Sequence, residues 1–105
     1  MNKKYTCPSC GFITFKEPPG SYEICPVCYW EDDIVQLKDP DFEGGANDVS
    51  LREAQKNYQK FAAIEEKFAG ETRKPSPSEL KDKEWFPLEK GTKIHENKLY
   101  YWKAT

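Results

Sequence analysis

Apolar residues are grouped unevenly along the chain, and the groups differ in period. Residues 12–15, "FITF", form a short run of aromatic and β-branched side chains after Gly11, as a strand does. "SYEIC" at 21–25 is a second such run, and "KEPPGS" lies between them. Pro19-Gly20 suits the centre of a type II turn, because proline presets the first φ and glycine supplies the positive second one. The pattern predicts a β-hairpin within residues 5–29. Beyond it, residues 30–49 show neither period, and Asp39-Pro40-Asp41 and Gly44-Gly45 mark turns. A packed Ω-type loop is expected there, pinned by Trp30, Ile34, Val35, Leu37 and Phe42. From Leu51 the period becomes 3.6: Leu51, Ala54, Tyr58, Phe61, Ala62, Phe68 and Ala69 share one face, with Glu65 snorkelling at its edge. Ser50 with Glu53 three residues later is a capping box, and Gly70 is a natural stop, so a helix is expected over 50–70. After it, Pro75 and Pro77 read as a linker. "SELKDKEWF" reads as a short helical turn capped by Ser78, with Trp85-Phe86 docking. An aromatic hairpin follows, with its turn at Glu96-Asn97 and a strand over Leu99–Trp102.

The cysteines change this picture. All four lie in the predicted hairpin as two Cys-x-x-Cys pairs, Cys7/Cys10 and Cys25/Cys28, with 14 residues between the pairs. "MNKKYTCPSC" has no apolar run behind its lysines, and no stretch approaches the ~18 apolar residues of a membrane helix. The expectation is a cytoplasmic protein with reduced thiols and no membrane span, where such pairs hold metal rather than form disulfides. Two knuckles at the open end of a hairpin can surround a tetrahedral ion with Zn–S distances of ~2.3 Å. In "CPSCG" the proline stiffens the turn and Gly11 tolerates the positive φ that comes next. "CPVCY" puts Tyr29 at that place, where a left-handed conformation costs roughly 1–2 kcal/mol, so the second knuckle is expected to turn differently. A thioredoxin-like redox pair would sit at a helix start in a βαβ context, which is missing. A rubredoxin-like iron site uses the same ligands, because S₄ tetrahedra suit both metals. Four protein ligands leave no open position, so the metal is expected to be structural, worth roughly 10 kcal/mol or more to folding.

Charge narrows the partner. The chain has 105 residues with 16 Lys+Arg against 18 Asp+Glu, a formal charge of -2. Residues 31–48 concentrate seven acids (Glu31, Asp32, Asp33, Asp39, Asp41, Glu43, Asp48) against one base, Lys38. Such a balance exerts no general pull on nucleic acid and favours a basic protein surface. "KLYYWK" has the interleaved aromatics and bases of a single-strand stacker, and the overall charge opposes that use. The acids match no EF-hand pattern, so a solvated loop is expected rather than a Ca²⁺ or Mg²⁺ site. His95, the single histidine, is expected at the surface, and no Ser-His-Asp or Cys-His arrangement can be built from it.

The segments "CPSCGF", "GSYEICPVCYWEDD", "VQLKDPDFEGGANDVSL" and "REAQKNY" resemble the bacterial cysteine-rich family called CPCC over roughly the first 75 residues. The resemblance implies rubredoxin-like zinc-ribbon knuckles with Cys7, Cys10, Cys25 and Cys28 as the ligands. Ser9 stands where the family's name places a further cysteine, which implies that the extra cysteine is not a ligand.

These readings combine into one α+β domain: a zinc-ribbon β-hairpin over 1–30, a long acidic loop over 31–49, one amphipathic helix over 50–70, and a linker with an aromatic extension over 71–105. The expected function is a non-enzymatic zinc-binding module for a protein partner, with a toxin-neutralising immunity protein as one form. Glu31, Asp32, Asp33, Asp39, Asp41 and Glu43 are the candidate contact residues. The alternatives are a nucleic-acid-binding zinc ribbon and a carboxylate-dependent metalloenzyme.

Overall fold

The two Cys-x-x-Cys turns are themselves the hairpin turns of the molecule. In the computed structural model, which describes residues 4–95 and 97–103, β1 (Tyr5–Thr6) and β2 (Ile13–Phe15) run antiparallel on either side of the first pair. Tyr5 pairs with Phe15 and Thr6 with Ile13, with a bulge between the two. Cys7 N–H donates to Phe12 O (2.9 Å) and Gly11 N–H to Cys7 O (2.8 Å). The second knuckle repeats this: Cys25 N–H donates to Trp30 O (2.8 Å) and Tyr29 N–H to Cys25 O (2.8 Å). Around it, Tyr22 N–H reaches Asp32 O, Asp32 N–H reaches Glu23 O, and Ile24 bridges Glu31. "SYEIC" therefore pairs with the residues after its own knuckle and not with "FITF", which corrects the predicted hairpin. The reason is local. The Glu23 carboxylate accepts the N–H groups of Lys16 and Glu17, taking donors a continuing strand would need, and Pro18 and Pro19 have none.

The segment after Trp30, expected as a packed Ω-type loop with no helical period, holds a short helix that its sequence pattern hides, α1 (Ile34–Lys38). Asp33 caps it, its Oδ1 accepting from Val35 and Gln36 N–H. Of the expected pins, Trp30 and Leu37 are buried, whereas Ile34, Val35 and Phe42 are exposed. The loop is organised instead by two buried amides. Gln36 Nε2 donates to the carbonyls of Asn47 and Val49, and its Oε1 accepts from Asn47 N–H and Nδ2. Asn47 in turn exchanges two 2.8 Å bonds with the Glu31 backbone.

The main helix, α2 (Leu51–Phe61), starts as expected, with Ser50 Oγ accepting from Glu53 N–H at 3.1 Å. It ends well before Gly70. Ala62 takes a left-handed conformation (φ 57°), its N–H closing on Tyr58 O, and a separate 3₁₀ helix occupies Glu66–Glu71. Continued as a helix, the chain would carry Ile64 away from the apolar stripe. Broken at Ala62, it buries Ala63 and Ile64, with Ile64 N–H bonded to Cys28 O and Ile64 O to Asn57 Nδ2. Burial and two hydrogen bonds override the helical pattern.

Residues 80–82 run beside β2: Ile13 N–H donates to Leu80 O and Asp82 N–H to Gly11 O, at 2.9 Å each. The helical turn expected from Ser78 and the final aromatic hairpin are absent among the described residues, and Glu96 of the expected turn lies outside them. Tyr100, Tyr101 and Trp102 are instead folded inward. The Tyr100 and Trp102 rings stack at 4.3 Å, and Trp102 Nε1 donates to Asp82 Oδ2, which also accepts from Thr6 in β1. One core results, in which the cysteines are continuous with Phe15, Val27, Trp30, Leu51, Ile64 and Trp102.

Candidate metal centre

Each knuckle presents two sulfurs, and the double-hairpin fold sets the knuckles face to face. The four Sγ atoms of Cys7, Cys10, Cys25 and Cys28 lie within 4.8 Å of one another. Across the knuckles, Cys7 and Cys28 sulfurs are 3.6 Å apart and Cys10 and Cys25 sulfurs 3.8 Å. A tetrahedron with arms of ~2.3 Å has edges of about 3.8 Å, so the sulfurs stand where a metal ion would want them. None of the four is in a disulfide, and all have 0% exposure. The Thr14 hydroxyl lies 3.2 Å from Cys25 Sγ, placed to donate to a thiolate there.

The electrostatics of this cluster call for a cation. Burial, helped by the neighbouring sulfurs, pushes the Cys7 and Cys28 thiols well up. Cys25 feels the same burial, but hydrogen bonds from the other cysteines and Thr14 outweigh it and hold this thiol low. One thiolate is thus accommodated by its neighbours, whereas four in a dry core would repel one another. A divalent ion removes that conflict. Among the described residues these cysteines are the only group of potential ligands close enough to share an ion.

The second knuckle departs from expectation. Tyr29 adopts φ 75°, close to the 83° of Gly11 at the equivalent place, so both knuckles turn alike and the strain is accepted. What differs is what lies on top. A Cβ at Gly11 would sit 2.6 Å from the Trp85 ring, whose Nε1 donates to Pro8 O in the same turn. Over the second knuckle the Tyr29 ring packs against Phe68 of the 3₁₀ helix, centroids 4.7 Å apart. Gln55 of α2 also holds the first knuckle: its Nε2 donates to Pro8 O (2.8 Å), and its Oε1 accepts from Leu88 N–H (2.7 Å).

A family model described as Cysteine-rich CPCC matches residues 5–79. The chain belongs to the cysteine-rich CPCC family. No curated protein matches it. In this CPCC chain Ser9 is buried, and the four-sulfur group is complete without a cysteine at that place. The CPCC match stops at residue 79, so Trp85 and Tyr100–Trp102, which cover the first knuckle and fill the core, lie beyond it.

The acidic candidates divide in two. Asp32 and Asp33 point inward. Asp32 Oδ2 accepts from Gly20 N–H, Ser21 N–H and Ser21 Oγ, and burial raises its pKa, while Asp33 Oδ2 accepts from Ala46 N–H. Both carboxylates are buried and engaged in hydrogen bonds that fasten the loop. Glu31 is half-buried. Asp39, Asp41, Glu43 and Asp48 are exposed, with Asp41 paired to Arg52 at 2.7 Å. His95 is exposed and is not part of the ligand group. Gln36, Asn47, Gln55 and Asp82, the buried polar residues that set the knuckles and the loop, carry no sequence signal beyond being polar in or beside apolar runs.

Proposed function

We propose that the protein is a non-enzymatic module in which Zn²⁺ bound by Cys7, Cys10, Cys25 and Cys28 supports a binding surface for a basic protein partner in a reducing compartment. The observation that carries the metal role is the closed, fully buried four-sulfur cluster. Its ligand set fills a tetrahedron and leaves no place for water or substrate, as in structural zinc sites. The observation that favours a basic partner is the exposed run Asp39, Asp41, Glu43 and Asp48 on a loop locked to the cage. The nucleic-acid reading loses support, because Tyr100, Tyr101 and Trp102 are buried and cannot stack on bases.

Metal analysis of the purified protein should return one zinc per chain, and a visible chromophore would signal iron instead. Titration of the metal-loaded protein with a lysine-rich polypeptide should give salt-sensitive binding. Asp39→Asn, Asp41→Asn and Glu43→Gln together should weaken it roughly ten-fold. Equal affinity of that variant and the parent, or retention on RNA rather than on the polypeptide, would remove the proposal.

A further inference from the structure

Beside the second knuckle lies a cleft of about 120 Å³, and its walls are Ile24, Tyr29, Ile64 and Phe68. Glu31, Asp48 and Glu65 stand around it. We propose that this cleft is a docking pocket for one arginine side chain of a protein partner, a proposal that rests on the reading of the protein as a module for basic partners and gives that reading a site.

The pocket's chemistry suits a guanidinium. The walls are apolar and aromatic, so they can take the methylene stem and stack on the planar head, while the carboxylates meet its charge. The molecule already places a cation at this rim. Lys67 Nζ is 3.8 Å from Asp48, 3.9 Å from Glu65 and 5.1 Å from the centre of the Phe68 ring. Its side chain is 59% exposed, so it is free to swing away and give up those partners. Glu31 makes no ion pair among the described residues, and its backbone is fixed by the two bonds from Asn47. Three acidic residues therefore line a cleft beside which, among the described residues, one cation, Lys67, stands paired with two of them, and the charge left over suits a second cation from outside.

Tyr29 supplies the aromatic wall, and it does so from a backbone conformation in which the first knuckle uses glycine. Glycine would satisfy the turn in the second knuckle as well, whereas only a large flat side chain makes the wall against Phe68.

The test uses the full-length, metal-loaded, ¹⁵N-labelled protein titrated with N-acetyl-arginine methylamide, with the citrulline analogue as an uncharged copy of the same shape. Amide shifts are expected at Ile24, Tyr29, Glu31, Ile64 and Phe68 with arginine and not with citrulline. Tyr29→Gly should keep its metal stoichiometry and lose at least about five-fold in affinity. Should that variant fail to load metal, Phe68→Ala serves the same purpose. Lys67→Gln should bind about two- to five-fold tighter, by removing the internal competitor. The same change at Lys83, which pairs with neither Asp48 nor Glu65, should have no such effect. Shifts confined to residues 39–43 and indifferent to Tyr29 and Lys67 would overturn the pocket while leaving the wider reading intact. Arginine and citrulline behaving alike would overturn the pocket, and failure of the lysine-rich polypeptide to bind would overturn both.

Discussion

Gly11 and Tyr29 occupy the same place in two copies of one turn, and they show what a single position can and cannot disclose. The glycine is readable from "CPSCG", because the residue after the second cysteine of a knuckle takes a positive φ. The aromatic ring resting on it is not, since Trp85 is 74 residues away in a segment that carries no period. Gly11→Ala is therefore expected to suffer twice, from the left-handed backbone and from a Cβ placed 2.6 Å from the Trp85 ring. A loss of about 3 kcal/mol should appear in urea unfolding of the metal-loaded protein, together with a changed Trp fluorescence. Tyr29 misleads in the opposite sense. The strain of a tyrosine at that place points to a different turn, whereas the fold accepts the strain and uses the ring.

The elements are legible where local chemistry determines them. Ser50 and the stripe from Leu51 to Tyr58 announce α2, whereas the two Cys-x-x-Cys turns announce the ligand set and not that each closes a hairpin of its own. The C-terminal half of the expected helix is not legible, because the signal that ends it is tertiary: Ile64 N–H meets Cys28 O, and no residue between 61 and 69 is a helix breaker. Ala62 takes the left-handed role that glycine usually fills. Ala62→Gly should therefore raise stability by about 0.5–1 kcal/mol without altering the metal site, measured as a shift in the urea midpoint at constant slope. A loss of stability would mean that the left-handed end is not kept in solution. α1 escapes sequence reading for a related reason. Five residues are too few to show a period, and its support comes from the Asp33 cap and the Gln36–Asn47 pair rather than from an apolar face.

At the scale of the whole molecule, cage and core are one body, so metal and fold should be lost together. The sign of the pH effect comes from the thiols. Cys7 and Cys28 are pushed up by burial and hold their protons more firmly than ordinary cysteine, so metal uptake must displace those protons. Lower pH favours the protonated thiols, the ion leaves, and the stability it supplied disappears as pH falls. Metal release to a chromophoric chelator and loss of far-UV circular dichroism should trace one steep curve, with more than one proton taken up per ion. A fold that persisted after complete chelation at neutral pH would show that the core stands without the cage.

The ligands and their cover come from opposite parts of the chain: every cysteine lies within the first 28 residues, while Trp85 and Tyr100–Trp102 close over them from beyond residue 80. During translation the four sulfurs leave the ribosome long before the segment that seals them. A metal ion met at that stage would find the entrance still open, and docking of the segment beyond residue 80 afterwards would turn a freely exchanging ligand set into a locked one. The finished protein should consequently trade its ion for an isotopically labelled one slowly, at a pace set by undocking of that segment rather than by the breaking of metal–sulfur bonds.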